Sequence, residues 1–394
     1  MTETLGETLR RARLIKRLSQ GGLGDAVGYS ASWVSRVEND KVTPDTAALV
    51  ALCDVLGLSA EAVGLEGDDV HRRELLTLGL GVGIAAALPS STASAAEPKN
   101  LVEQALFKLP DARPAARDAL TSSLSHARGL FHEAHYTDLG RALPPLISRS
   151  LASRAHDIAA RAYVLLAQLA IKNYQGYAWI AADRARMQAE LTGNPVVMGE
   201  AAHSMAITMR RSGEYQAAID HLKEAADRLD ESPDQLAMRG TLLLTASYSA
   251  AQPRWRGQAM EFIEEAEETA SRRETMARKL YIPGVFGIDQ TQVFRISVHH
   301  ALGEADEALT FAEKTDLRRL PNAERRGRMC MDIARVWRDL GEPEKAFIAL
   351  RAMEQYAPEE ARRPKVRAIT AELLTANREI PGLHLFAQRT GAAA

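Results

Sequence analysis

Ala31, Ser32, Ser35 and Arg36 would share one side of a short helix whose opposite side carries Val34 and Val37, three residues apart. A methyl group, two hydroxyls and a guanidinium are the groups that meet base edges in a DNA major groove by apolar contact and hydrogen bonding. The chemistry they offer is therefore recognition. Ser30 can cap this helix at its start, and Ser19 can cap a preceding helix running from Gln20 to Val27. Gly28 follows, the residue type that most easily takes positive φ at a helix end. The spacing predicts two helices joined by a tight turn, with the second presenting its polar side outward.

The runs Leu5-Gly-Glu-Thr-Leu-Arg-Arg-Ala-Arg13, Leu18-Ser-Gln-Gly-Gly-Leu-Gly24, Val27 through Glu38, and Leu52-Cys-Asp-Val-Leu-Gly-Leu58 carry a family resemblance. Over about the first 65 residues the chain resembles the xenobiotic-response-element and phage-repressor helix-turn-helix domains, a lambda-repressor-like bundle. The resemblance implies that Gln20 contacts a phosphate, that Ala31, Ser32, Ser35 and Arg36 sit over base edges after Ser30, and that Lys41 and Thr43 hold backbone beyond them. It also implies an internal ion pair between Arg13 and Glu38. Trp33 has two readings, packing on the sugar–phosphate backbone or covering the domain's own flank. Two departures stand out. Gly21, Gly22 and Gly24 occupy positions where the family prefers helix formers, each costing up to about 1 kcal/mol relative to alanine, and Arg36 is the reading face's one long polar side chain.

The chain has 394 residues, long enough for two or three domains, and its 46% hydrophobic and 25% charged composition fits a soluble globular protein rather than a disordered one. A formal net charge of −2 argues against a general polyanion coat, which would be basic throughout. Basic charge is instead local, on Arg10, Arg11, Arg13, Lys16 and Arg17 of the first helix. The two cysteines, Cys53 and Cys330, are far apart on apolar faces and point to a reduced compartment, the cytoplasm. The sequence holds no Gly-rich phosphate loop, nucleophile elbow or metal quartet, and His132-Glu-Ala-His135 lacks the i, i+4 histidine spacing of a zinc helix. No enzyme, cofactor or metal site is expected.

Arg72-Arg73-Glu74 precedes an uncharged apolar run from Leu75 to Leu88 and small residues at Ala93-Ser94-Ala95, which read alone looks like a twin-arginine export signal. Such a signal belongs at an N-terminus, and the run falls short of the roughly 20 residues that span a bilayer. It is read instead as an apolar helix tapering into a Pro/Ser/Ala linker. The expected division is 1–66 for DNA binding, 67–99 for apolar helix and linker, and 100–394 for a helical-repeat sensor domain.

Beyond residue 100 the pattern is amphipathic helix with almost no strand signal. Gly199 to Ser232 has Ala202, Met205, Ala206, Gly213, Tyr215, Ala218, Ile219 and Ala225 at tetratricopeptide offsets, and Cys330 to Pro358 forms a second such unit. Gly213-Glu-Tyr, Gly303-Glu-Ala and Gly341-Glu-Pro each precede an alanine-led helix, one tight turn used repeatedly, which favours a stacked solenoid over a plain bundle. Weaker units centre on Tyr136-Thr-Asp138, on Ala182 with Ala189, on Ala259 with Ala266 and on Leu302-Gly-Glu304 with Ala308, and helices from Lys365 to Asn377 and from Leu383 onward would cap the array. The first helix of each pair builds the concave face, which places His203, Arg210, Gln290, Ser297, His300, Arg328, Arg335 and Arg338 as candidate ligand-binding residues.

Read as a whole, the chain resembles an actinobacterial group of regulators that join this helix-turn-helix to tetratricopeptide-like repeats. Phe286-Gly287 through Arg295 to Glu304, and Arg319-Leu320-Pro321 with Ala323-Glu-Arg-Arg326, match that group's motifs, with Gln290 standing where the group tends to have asparagine. The architecture also resembles peptide-sensing quorum regulators of Gram-positive bacteria. The expectation is an all-α protein, a DNA-binding transcriptional regulator of the cytoplasm acting on double-stranded operator DNA as a homodimer, with a peptide or small-molecule effector in the groove. The alternatives are a protein-interaction scaffold whose N-terminal domain no longer binds DNA, and a regulator tethered to a membrane through 75–88.

Overall fold

The computed structural model describes residues 4–16, 18–27, 29–44, 46–58, 98–173, 176–280, 286–377 and 379–393. Gly28, Arg17 and the whole apolar run Leu75 to Leu88 with its arginine pair lie outside the described residues. Among those described, all regular secondary structure is helical: twenty α-helices and one 3-10 turn.

Four helices form the N-terminal unit: α1 (Leu5–Ile15), α2 (Gln20–Val27), α3 (Ala31–Glu38) and α4 (Thr46–Leu56). Thr4 and Glu7 close a reciprocal capping box on α1, which satisfies two backbone donors that the helix start would otherwise leave open. Ser19 Oγ accepts from Gly22 N at 2.9 Å, and Ser30 Oγ accepts from Trp33 N at 3.2 Å, so both serines cap as their spacing predicts. Leu9, Leu23, Val27, Val34, Val37 and Leu52 form the core. The glycines of α2 are not equivalent. A Cβ on Gly24 would stand 2.4 Å from the Tyr29 carbonyl oxygen, so α2 and the α3 entry meet at a distance only glycine allows.

The second body begins at α5 (Pro98–Phe107) and continues as helix pairs: α6 (Arg117–His132) with α7 (Tyr136–Ala152), α8 (His156–Lys172) with α9 (Ala178–Glu190), and α10 (Pro195–Arg211) with α11 (Tyr215–Asp227). Then come α12 (Pro233–Ala251) with α13 (Arg256–Leu280), α14 (Ile288–Leu302) with α15 (Ala305–Lys314), and α16 (Ala323–Asp339) with α17 (Pro343–Tyr356). The short α18 (Pro358–Ala361), α19 (Pro364–Ala376) and α20 (Leu383–Thr390) end the array.

Gly213, Gly303 and Gly341 all take positive φ, near 80°, and the next residue's N–H returns to the carbonyl five positions back: Glu214 to Met209, Glu304 to His299 and Glu342 to Trp337. This is the Schellman ending of a helix, and it recurs without glycine at Ala134, Arg154 and Arg254. The sequence shows only the glycine-bearing half of these turns, because a side chain in the left-handed region is tolerated at a cost of about 1–2 kcal/mol.

The solenoid also closes on itself. Tyr136 at the start of α7, Lys172 at the end of α8, Glu324 in α16 and Glu360 in α18 meet in one buried cluster, although up to 224 residues separate them in sequence. Ala323 and Ala357 accordingly pack in the same apolar core as the first helix pairs. The inner helices α6, α8, α10, α12, α14 and α16 therefore surround a central lumen.

Candidate DNA-reading face and repeat-domain lumen

Glu38, 4% exposed, ends the reading helix and anchors it. Arg13 Nε donates to its Oε1 at 2.5 Å, while Arg13 Nη2 and Gln20 Nε2 both donate to Oε2 at 2.9 Å. Arg13 Nη1 donates to the Leu18 carbonyl at 2.8 Å. Burial pushes the Glu38 carboxyl up, but the hydrogen bonds from Arg13 and Gln20 and the charges of Arg13 and Arg10 outweigh it and hold the group below its ordinary value. The ion pair thus joins α1 to α3, and the Gln20 amide adds α2 through the same carboxylate. Behind it, Asp40 accepts from Thr4 Oγ1 at 2.6 Å and from Gly6 N at 2.9 Å, fastening the chain after α3 to the start of α1.

The ion pair expected between Arg13 and Glu38 is thus present. Gln20, expected at a phosphate, is half-buried and turns its amide donor inward to Glu38, because a buried carboxylate needs more donors than one guanidinium provides. Arg13 belongs to the same pair and adds nothing to the basic surface, which is left to the exposed Arg10, Arg11 and Lys16. Ala31, Ser32, Arg36, Lys41 and Thr43 are exposed, and Ser35 is half-exposed. Ser30 spends its hydroxyl on the cap and on a 3.0 Å contact with Ser32 Oγ. Trp33 stacks on Tyr29 with ring centroids 3.8 Å apart and planes 14° from parallel, covering the flank of the domain. Asn39, which the sequence reading passed over, caps the helix end by donating to the Ser35 carbonyl at 2.6 Å.

In the repeat body a cavity of about 160 Å³ opens among the inner helices, lined by Phe131 of α6, Gln168, Ile171 and Lys172 of α8, His203, Ile207 and Arg210 of α10, Thr241 and Thr245 of α12, Gln290 and Phe294 of α14, and Glu324, Arg325 and Arg328 of α16. Every lining residue comes from the first helix of a pair. His203, Arg210, Gln290 and Arg328 are thus brought together as expected. Burial, with Arg210, Arg325 and Arg328 nearby, lowers the His203 pKa to about 3, so the ring is neutral near pH 7. Burial and Arg328 likewise lower Arg210 to about 10.

The other four expected ligand residues face elsewhere. Ser297, 1% exposed, donates to Asp332. Arg335 pairs with Asp332 at 3.4 Å, His300 Nε2 lies 2.7 Å from Asp339, and Arg338 reaches Asp339 at 2.6 Å and Glu372 at 3.5 Å. Asp332 and Asp339, seven residues apart on one side of α16, take up these groups and tie α14 to it, while the Arg338–Glu372 pair ties α19.

The cluster that closes the solenoid forms part of the lumen wall. Lys172 Nζ is 2.8 Å from Glu324 and also bonds Glu360, which accepts from Tyr136 Oη, while Arg363 Nε donates to the Lys172 carbonyl at 3.1 Å. Lys172 also lies 5.4 Å from the Phe131 ring centroid and 5.0 Å from that of Tyr136. Sequence periodicity gives no signal for this cluster: Glu360 and Arg363 lie three residues apart, but the contacts among Tyr136, Lys172, Glu324 and Glu360 all join different repeats.

Residues 4–64 match the family model described as a helix-turn-helix domain. Two solved structures are similar to the chain over most of its length. Bacillus thuringiensis PlcR, crystallised with the peptide PapR7 and DNA, is 13% identical with a TM-score of 0.39, covering 88% of this chain and 99% of that one. The Streptococcus dysgalactiae SHP pheromone receptor Rgg2 is 12% identical with a TM-score of 0.30, covering 89% of this chain and 98% of that one. No curated protein matches. Among the described residues no helix is long and apolar enough to cross a membrane, and no group of three or more His, Cys, Asp or Glu could hold a metal ion. The Cys330 thiol, pushed up to about 12 by burial, is inert packing.

Proposed function

We propose that the chain is a sequence-specific transcriptional regulator rather than an enzyme, of the xenobiotic-response-element type and the actinobacterial group its motifs resemble. Residues 1–66 read operator DNA, 67–99 connect, and 100–394 take a peptide or small-molecule effector in the lumen. The observation that carries this reading is the division of labour in α3: Val34, Val37 and Glu38 are buried, while Ala31, Ser32 and Arg36 face solvent. A rigidly anchored helix with a free polar side suits insertion into a major groove. The face is small, so two chains on half-sites about 34 Å apart would supply the affinity and register one head lacks, and effector binding in the lumen would alter that spacing. The reading places the protein in the cytoplasm.

Binding of the purified chain to its own upstream DNA across a salt series, beside Arg36→Ala, tests the reading. Tight salt-dependent binding whose sequence preference falls by about 1–3 kcal/mol in the variant supports it. Binding indifferent to both sequence and Arg36, at that DNA and in a genome-wide pull-down, refutes it in favour of a protein-interaction scaffold.

A further inference from the structure

Four cationic side chains and one carboxylate line the lumen. Lys172 is matched by Glu324 and Glu360, which leaves the arginines. Arg325 stands 3.7 Å from Glu324 and Arg328 stands 4.0 Å from Asp332, both longer than a hydrogen bond. Asp332 is itself engaged by Ser297 and Arg335. Arg210 reaches Ser249 Oγ at 3.5 Å and lies 4.8 Å from the Tyr248 ring centroid. Three guanidiniums crowded together with incomplete partners repel one another, and an anion arriving among them would satisfy donor forks shaped for a planar or tetrahedral oxyanion.

We infer that the lumen is an anion site, in which Arg210, Arg325 and Arg328 hold the carboxylate or phosphoryl group of a compact ligand whose apolar part lies against Phe131, Ile207 and Phe294. The inference rests on reading the lumen as an effector site and names the effector's chemical class. Size agrees with chemistry. A cavity near 150 Å³ accepts about one aromatic ring, and the lumen's volume is close to that. The neutral His203 ring beside the arginines adds a hydrogen-bonding group without adding repulsion between cations.

The test is thermal unfolding of the full chain with benzoate, benzamide or inorganic phosphate, each against sodium chloride of equal ionic strength. Saturable stabilisation by benzoate but not benzamide identifies a carboxylate with an apolar body, and stabilisation by phosphate identifies a phosphoryl group. Either response should weaken at least tenfold in apparent affinity in both Arg325→Gln and Arg328→Gln, and persist in Arg141→Gln on the outer surface. Each glutamine removes a repelling charge, so both variants should fold, which their helical circular dichroism checks. No response to either anion, an equal response to benzamide, or an unchanged response in both lumen variants overturns the inference. If the anion binds while operator affinity stays constant, the site stands and its regulatory role falls.

Discussion

Replacing Arg13 by methionine would remove three of the hydrogen bonds that bind α1 to the rest of the DNA-reading unit and leave the 4%-exposed Glu38 carboxylate with only Gln20 as its side-chain donor. Breaking a buried pair from one side costs about 3–5 kcal/mol, because the surviving charge stays desolvated. A cooperative unit the size of α1 to α4 has roughly 3–8 kcal/mol of total stability. The variant should therefore unfold residues 4–58 wholly or nearly so at neutral pH while the repeat body keeps its helices. Hydrogen exchange resolved by segment, together with urea unfolding, reads both parts separately. Adding Glu38→Leu should restore most of the loss, since an apolar pair can fill a space from which the charge is gone. The damage should also shrink toward pH 4, where Glu38, no longer held down by Arg13, takes up a proton. A loss below about 1 kcal/mol, or a double variant as unstable as the two single losses summed, would refute the view that this pair holds the reading helix in place.

Arg36→Ala should leave the unfolding midpoint unchanged while reducing sequence preference, since the side chain is exposed; a lowered midpoint would mean that it supports the fold. Gly213→Ala meets no neighbour within 4 Å, so its loss of about 1 kcal/mol should come from φ alone, and Arg254→Gly, relieving the same strain in another turn, should be neutral or stabilising by chemical denaturation. Lys172→Met should open the closed solenoid, detectable as a larger radius of gyration by small-angle scattering. Glu324 and Glu360 are held below their ordinary values, burial being outweighed for Glu324 chiefly by Lys172 and Arg325 and for Glu360 chiefly by Arg363 and Lys172. Their contribution is thus complete above the unfolded value of about 4.3 and is lost as pH falls through the folded values, so acid should open the wild-type array while Lys172→Met is already open at pH 7.

Capping serines, the Val34–Val37 spacing and the glycine-marked turns were legible in the sequence because each depends on a few consecutive residues: a hydroxyl near free N–H groups, a helical period, a backbone angle only glycine adopts without strain. Those local rules suffice for two helices around a tight turn and for an array of helix pairs. Tertiary structure alone decided what the glycines and charges are for. Gly24, read as a cost in α2, is required by the Tyr29 carbonyl packed against it, and Gly240 in α12 by the Phe286 ring, 1.9 Å from where its Cβ would be. Phe286, read as part of a family motif, is thus a packing group. Helical period fixes which residues lie on the inner side of a repeat, but that side is wide, and the curvature of the whole array determines which of them see the lumen and which meet a neighbouring helix. His203, Arg210, Gln290 and Arg328 see it, whereas Ser297 and His300 meet aspartates of the neighbouring α16, Arg335 pairs with Asp332 of its own helix, and Arg338 pairs with Asp339 beside it and Glu372 of α19. The closing cluster of Tyr136, Lys172, Glu324 and Glu360 exists only because the solenoid returns on itself, a condition that no segment shorter than the full array can encode.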